Sequence, residues 1–180
     1  MNFQARLEER IAKCGNPICL GMDPVMKLID PCCPEGSAED KIKRFYSEIL
    51  ECCLKRNVTP AVVKPNSAYY ECVSVQAMLV LQQLIADYKS AGIPVILDAK
   101  RGDIGSTASA YAEGWLSGAK IEGQQFKSFD ADCVTLNGYM GSDSIKPFLE
   151  AAKLEDKCAF VLVKTSNPGS GELQDIVAGD

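Results

Sequence analysis

The chain has 180 residues, 47% of them hydrophobic, enough for one compact domain with a substantial core. Its net charge of −5 is spread over interspersed acidic and basic residues, with no basic block or basic–aromatic pattern, which argues against a nucleic-acid surface. Apolar runs reach only strand length, far short of a membrane span, and the N-terminal "MNFQARLEER" is charged from the start, without the apolar core of a secretory signal.

In chain order, the spacing first predicts a helix over 3–13, with Phe3, Leu7 and Ile11 on one face and a stop near Gly15. The run "PICLGMDP" (17–24) follows as a first strand. Residues 37–56 are the clearest helix: Ser37 and Asp40 form a capping box, and Ile42, Phe45, Ile49 and Cys52/Cys53 recur at helical spacing. "PAVVKPNS" (60–67) is a second strand. Residues 74–90 predict a helix burying Val75, Met78/Leu79, Leu84/Ile85 and Tyr88, with Gly92 just beyond. "IPVILDAK" (93–100), "DCVTLNGY" (132–139) and "AFVLVKTSNPG" (159–169) are three further strands, separated by shorter helices over 106–117 and 142–154. No repeat, low-complexity tract or linker interrupts the pattern.

The strand runs are nearly continuous in apolar residues rather than alternating, as expected of parallel strands buried on both faces. Strand–helix alternation five times over implies a parallel α/β fold. An open nucleotide-binding sheet wants a Gly-rich loop after its first strand, and "LGMDPVMK" has no G-x-G-x-x-G. Each strand instead ends in polar residues: Asp23, Lys64, Asp98 with Lys100, Asn137, and 164–167. Functional groups at the C-terminal ends of many strands are the habit of the (β/α)8 TIM barrel. Such a barrel needs eight strands and about 250 residues. Residues 1–180 are therefore expected to form one partial TIM-barrel domain, about its first five β/α units, with "ELQDIVAGD" leading toward a sixth strand.

Nine cysteines include two adjacent pairs, Cys32–Cys33 and Cys52–Cys53, but no Cys-x-x-Cys, and are expected as free thiols in a reducing cytoplasm. The absence of histidine excludes Ser-His and Cys-His nucleophile systems and all His-ligated metal sites. Acid–base chemistry must then fall to carboxylates, lysines, tyrosines or thiols. In "VILDAKRGDIGSTASAYAEGW", Asp98 and Lys100 are two apart and face the same way on a strand. With Lys64 on the preceding strand and Asp103 beyond the "RG" turn, four charges of alternating sign are expected to meet. Two readings stay open on these residues alone: a substrate-directed network, or a salt-bridged strand end in which Asp103 or Ser106 caps the next helix.

"ILDAKRGDIGSTASAYA" resembles the signature of the orotidine 5′-phosphate decarboxylase family in its longer bacterial form (type 2). "CLGMDP", "VVKPN", "VTLNGYMGSDSIKPF" and "VLVKTSNPGSGELQD" resemble its other segments in the right order, over essentially the whole chain. The resemblance implies cofactor-independent decarboxylation of orotidine 5′-monophosphate to uridine 5′-monophosphate, in pyrimidine biosynthesis in the cytoplasm. It implies Lys100 as proton donor to C6, Asp98 against the departing carboxylate, and Lys64 holding Asp98 and reaching the ribose. Asp23 is implied on the ribose, Ser166 on the pyrimidine, and Asn137 on the substrate, although "NGY" equally reads as a turn. Asp103, Ile104 and Thr107 are implied to cross into a partner subunit's site, hence a homodimer. No metal or cofactor is implied, and no membrane or nucleic-acid partner. The family's phosphate grip lies after its sixth to eighth strands, in segments this sequence does not include. A Mg²⁺-dependent sugar-phosphate decarboxylase of the same superfamily shares Asp-x-Lys-x-x-Asp but would want an acidic ligand where Lys64 stands. A non-catalytic fragment retaining the motif is the rival from another class.

Overall fold

A computed structural model describes residues 2–177. Helix α1 (Phe3–Cys14) opens it, with the Asn2 side chain accepting from Ala5 N–H and Gly15 in the left-handed conformation ending it. Five parallel strands carry the frame: β1 (Cys19–Met22), β2 (Val62–Pro65), β3 (Ile96–Arg101), β6 (Cys133–Leu136) and β7 (Cys158–Val161). β1 pairs with β2, and β3 with β6 and β6 with β7. The bridges Val63↔Val95 and Asn66↔Asp98 join β2 to β3. The strands therefore stand side by side in chain order, the arrangement of a barrel's first five units, as the apolar runs predicted.

The intervening helices lie between successive strands. After β1 come the short α2 (Met26–Ile29) and α3 (Ala38–Lys55); the Ser37–Asp40 capping box is present in full. After β2 come α4 (Ser67–Glu71) and α5 (Val75–Ser90). Ala77, Leu81, Leu84, Ile85 and Tyr88 of α5 are buried, whereas Val75 and Leu79 are exposed, against the expected face. The segment is apolar at so many positions that two stripes compete, and packing on α3 selects the one through Leu81 and Leu84.

The expected helix 106–117 is α6 (Gly105–Ala112) running into a π-helical turn, Glu113–Ser117. A hairpin that the sequence pattern did not signal follows: β4 (Ala119–Ile121) and β5 (Gln124–Phe126), antiparallel. Its turn residues Glu122 and Gly123 have φ of 51° and 80°, the two left-handed positions of a tight type I′ turn. Gly118 is required where it stands: a Cβ there would lie 2.8 Å from the Phe126 carbonyl oxygen. α7 (Ser142–Leu154) connects β6 to β7, and α8 (Gly171–Gln174) comes last.

Two cores result. The larger packs helices against the outer side of the sheet, through Ile42, Tyr46, Leu81, Leu84, Val134 and Phe148 among others. The smaller lies on the inner side, where Phe3 of α1 covers Val62, Ile96 and Cys133. Arg6 pairs with Asp132 at 3.0 Å, and Arg10 donates to Thr59 Oγ1 at 2.6 Å. Helix α1 is thus fastened across the N-terminal ends of the strands, leaving their C-terminal ends open. Phe160, Val161 and Val163, on and just beyond the edge strand β7, are exposed.

Candidate active site

Three charged side chains converge at the C-terminal ends of β2 and β3. Asp98 lies between two lysines: Lys64 Nζ is 3.0 Å from Oδ2 and Lys100 Nζ is 2.6 Å from Oδ1. Thr135 of β6 donates its hydroxyl to the same Oδ1 at 2.8 Å. The Asp98 side chain is only 10% exposed, while those of Lys64 and Lys100 are 34% and 47% exposed. Burial pushes the Asp98 carboxyl up, but hydrogen bonds from Lys100, Lys64 and Thr135 outweigh it and hold the group below its ordinary range. For Lys64, burial acts downward and is overcome by the bond to Asp98 and by the charges of Asp98 and Asp23, so its ammonium is held above its ordinary value. The result is one ionised carboxylate with two ammonium groups facing open space.

The backbone that delivers Lys100 is irregular. Ile96 and Leu97 pair with Cys133 and Val134, but the next pairing is Arg101 with Leu136, so Asp98, Ala99 and Lys100 together oppose Thr135. Lys100 has φ +46°, in the left-handed region, at a cost of about 1–3 kcal/mol. Bulges of this kind re-aim side chains beside active sites. Here Ala99 is buried in the outer core and Asp98 and Lys100 share the inner side. The simple two-residue alternation expected of a flat strand is not what brings them together.

The other sequence-predicted residues fall around this centre to different degrees. Asp23, just past β1, has a buried Oδ1 without a hydrogen-bond partner among the described residues. Asp103 does not join the network, contrary to expectation: its Oδ1 accepts from Ile104 N–H at 2.8 Å, and no lysine or arginine pairs with it among the described residues. Gly102 sets that turn by lying so close to Asn137 that a Cβ would be 2.9 Å from its carbonyl oxygen. The Asn137 side-chain oxygen is occupied by Tyr139 N–H at 3.0 Å, so the turn reading of "NGY" describes it. Ile104 and Thr107 are exposed at the start of α6, and Ser166 is exposed beyond β7.

The family model for "Orotidine 5′-phosphate decarboxylase / HUMPS family" matches residues 16–180. The chain belongs to this family. It is 37% identical to an orotidine 5′-phosphate decarboxylase of Roseiflexus castenholzii, over 100% of the chain and 59% of that protein. Identity to the enzyme of Rhodopirellula baltica is 35%, over 98% of the chain and again 59% of the relative. A crystal structure described as an orotidine 5′-phosphate decarboxylase from Streptomyces avermitilis superposes with a TM-score of 0.82 at 34% identity, covering 98% of this chain and 58% of that one. The chain therefore spans about three-fifths of the length of these relatives. The fold is the corresponding part of the family's TIM barrel. No described helix is long and apolar enough to cross a membrane.

Two contributors to the site were not singled out from the sequence. Thr135 is one, because its importance depends on the register of β6 against the bulge. Arg101 is the other. Its guanidinium lies 5.7 Å from the Tyr111 ring centroid and 5.1 Å from that of Trp115, and it pairs with Glu71. Trp115 in turn stacks on Phe129 at 4.4 Å. This cradle anchors the strand end one residue past Lys100.

Proposed function

We propose that the site decarboxylates orotidine 5′-monophosphate to uridine 5′-monophosphate without a cofactor, in de novo pyrimidine biosynthesis. The observation that carries this reading is the Lys64–Asp98–Lys100 array, with Lys100 Nζ 2.6 Å from an ionised carboxylate and half open to the barrel mouth.

Loss of carbon dioxide leaves an electron pair on C6 of the pyrimidine. A fixed ammonium beside that carbon stabilises the transition state more than the ground state, because the charge it faces appears only as the C–C bond breaks. Lys100 then gives its proton to C6. Asp98 keeps Lys100 aimed through the hydrogen bond to its ammonium, and lies against the departing carboxylate. Lys64 holds the other Asp98 oxygen and reaches the ribose. The unpartnered Oδ1 of Asp23 accepts from a ribose hydroxyl. Ser166 contacts the pyrimidine, with Asn137 at most a backbone or turn contributor, since its side-chain oxygen is engaged.

The Asp103 carboxylate, with no cation paired to it among the described residues, and the exposed Ile104 and Thr107 support a homodimer in which these residues enter the partner's site. The activity belongs in the cytoplasm with its nucleotide substrate. Remote phosphate contacts normally supply binding energy used at the reacting centre. The 180 residues alone are therefore expected to bind the nucleotide weakly and turn it over slowly. The test is the ultraviolet change on incubating the protein with orotidine 5′-monophosphate: turnover that disappears in Lys100→Ala supports the assignment, and a Lys100→Ala variant as active as the parent refutes it.

A further inference from the structure

The bulge that presents Lys100 is stitched by one hydroxyl. Between the paired residues Leu97↔Val134 and Arg101↔Leu136, three residues of β3 face the single residue Thr135 of β6. Thr135 Oγ1 accepts from the Lys100 backbone N–H at 2.9 Å, taking a donor that a regular ladder would have paired with a carbonyl. The same oxygen donates its proton to Asp98 Oδ1 at 2.8 Å, the atom that also receives Lys100 Nζ. A hydroxyl has one proton to give and lone pairs to accept with, so both bonds are made in one orientation. Lys100 is thereby held at both ends, its left-handed backbone through its amide and its ammonium through Asp98.

We infer that Thr135 is a positioning residue of the decarboxylation site, its hydroxyl fixing the Lys100 backbone and the Asp98 carboxylate in one geometry. This rests on the decarboxylase reading for its consequence in catalysis, but not for its structural content. Valine has nearly the same shape and suits a strand, so Thr135→Val removes the hydroxyl and little else. Serine retains the hydroxyl.

The experiment measures three quantities on the 180-residue protein and on Thr135→Val and Thr135→Ser. They are hydrogen exchange at the Lys100 amide, the titration midpoint of the Asp98 carboxyl by carbon NMR, and the KM and kcat for orotidine 5′-monophosphate. In Thr135→Val, Lys100 exchange is expected to rise about tenfold or more, on the scale of losing a hydrogen bond to a charged or strained group. The Asp98 midpoint moves upward, because one of the bonds holding it down is gone. The rate kcat falls about tenfold with KM little changed, since the hydroxyl touches no substrate. Thr135→Ser restores all three. Wild-type exchange and an unmoved Asp98 midpoint in Thr135→Val overturn the inference. If Thr135→Val does not fold, Thr135→Ala is read in its place by the same criteria. Absence of turnover in the parent protein would defeat the decarboxylase reading alone, and the exchange and titration would still decide the role of the hydroxyl.

Discussion

Among the described residues, two carboxylates are each gripped by more than one lysine, and they behave differently. Asp98 sits at the C-terminal ends of the strands, between Lys64 and Lys100. Asp130 lies just before β6, with Lys157 at 2.5 Å, Lys89 at 2.8 Å and Lys127 at 3.2 Å. Around Asp130 each cation has a further partner: Lys157 also donates to the Leu116 carbonyl, Lys89 to the Asp130 carbonyl, and Lys127 to Glu155. Lys157 is only 5% exposed. Around Asp98, each ammonium has three donors and gives one hydrogen bond to a carboxylate, leaving the others directed into open space. The same charge pattern therefore serves as a closed clamp in one place and an open centre in the other. What distinguishes them is how many partners each cation already has, not the presence of ion pairs.

Exchanging each carboxylate for its amide separates the two. Asp98→Asn is expected to cost about a thousandfold in turnover, the upper range for removing one electrostatic element of a preorganised site. Its stability should change little, because water reaches both lysines. Asp130→Asn reverses the pattern. It strands the buried Lys157 and is expected to lower unfolding free energy in urea by about 3 kcal/mol, while residual turnover stays near the parent value.

Acid reads the same clamp. Burial raises the Asp130 carboxyl, but Lys157 and Lys89 hydrogen bonds and charges bring it down to about 2, from an ordinary value of 3.8. A carboxyl lowered in the folded state adds stability that is present above the unfolded value and is lost as pH falls through the folded one. Urea midpoints should accordingly drop between about pH 4 and pH 2, and drop less steeply in Asp130→Asn. The smallest effect is expected at Asp103→Asn. With no cation paired to Asp103 among the described residues, its unfolding free energy should stay within about 0.5 kcal/mol of the parent.

Much of this was legible in the residues. The five strands announced themselves because buried parallel strands are continuous apolar runs, and the Ser37–Asp40 box marked α3 to the residue. The hairpin Ala119–Phe126 did not, because "AKIEGQQF" is short, exposed and without clean alternation, and only its left-handed Glu122–Gly123 turn defines it. Val75 and Leu79 misled for the opposite reason, an excess of apolar residues on α5. At the site, Lys64, Asp98 and Lys100 were found by strand-end position. The bulge, the left-handed Lys100 and Thr135 were not, since register is a property of two strands and is written in neither alone. Asp103 was placed in the network by sequence proximity, but the tight Gly102–Asn137 approach sets a turn in which its carboxylate caps its own neighbour's amide.

The open-centre account is tested most directly by lysine side-chain NMR during titration with uridine 5′-monophosphate, the product of the proposed reaction. The Nζ signals of Lys64 and Lys100 are expected to move together with added nucleotide, while those of Lys89, Lys127 and Lys157 stay fixed. Movement of the Asp130 lysines with Lys64 and Lys100 unchanged would contradict the assignment of the Asp98 array as the reacting centre.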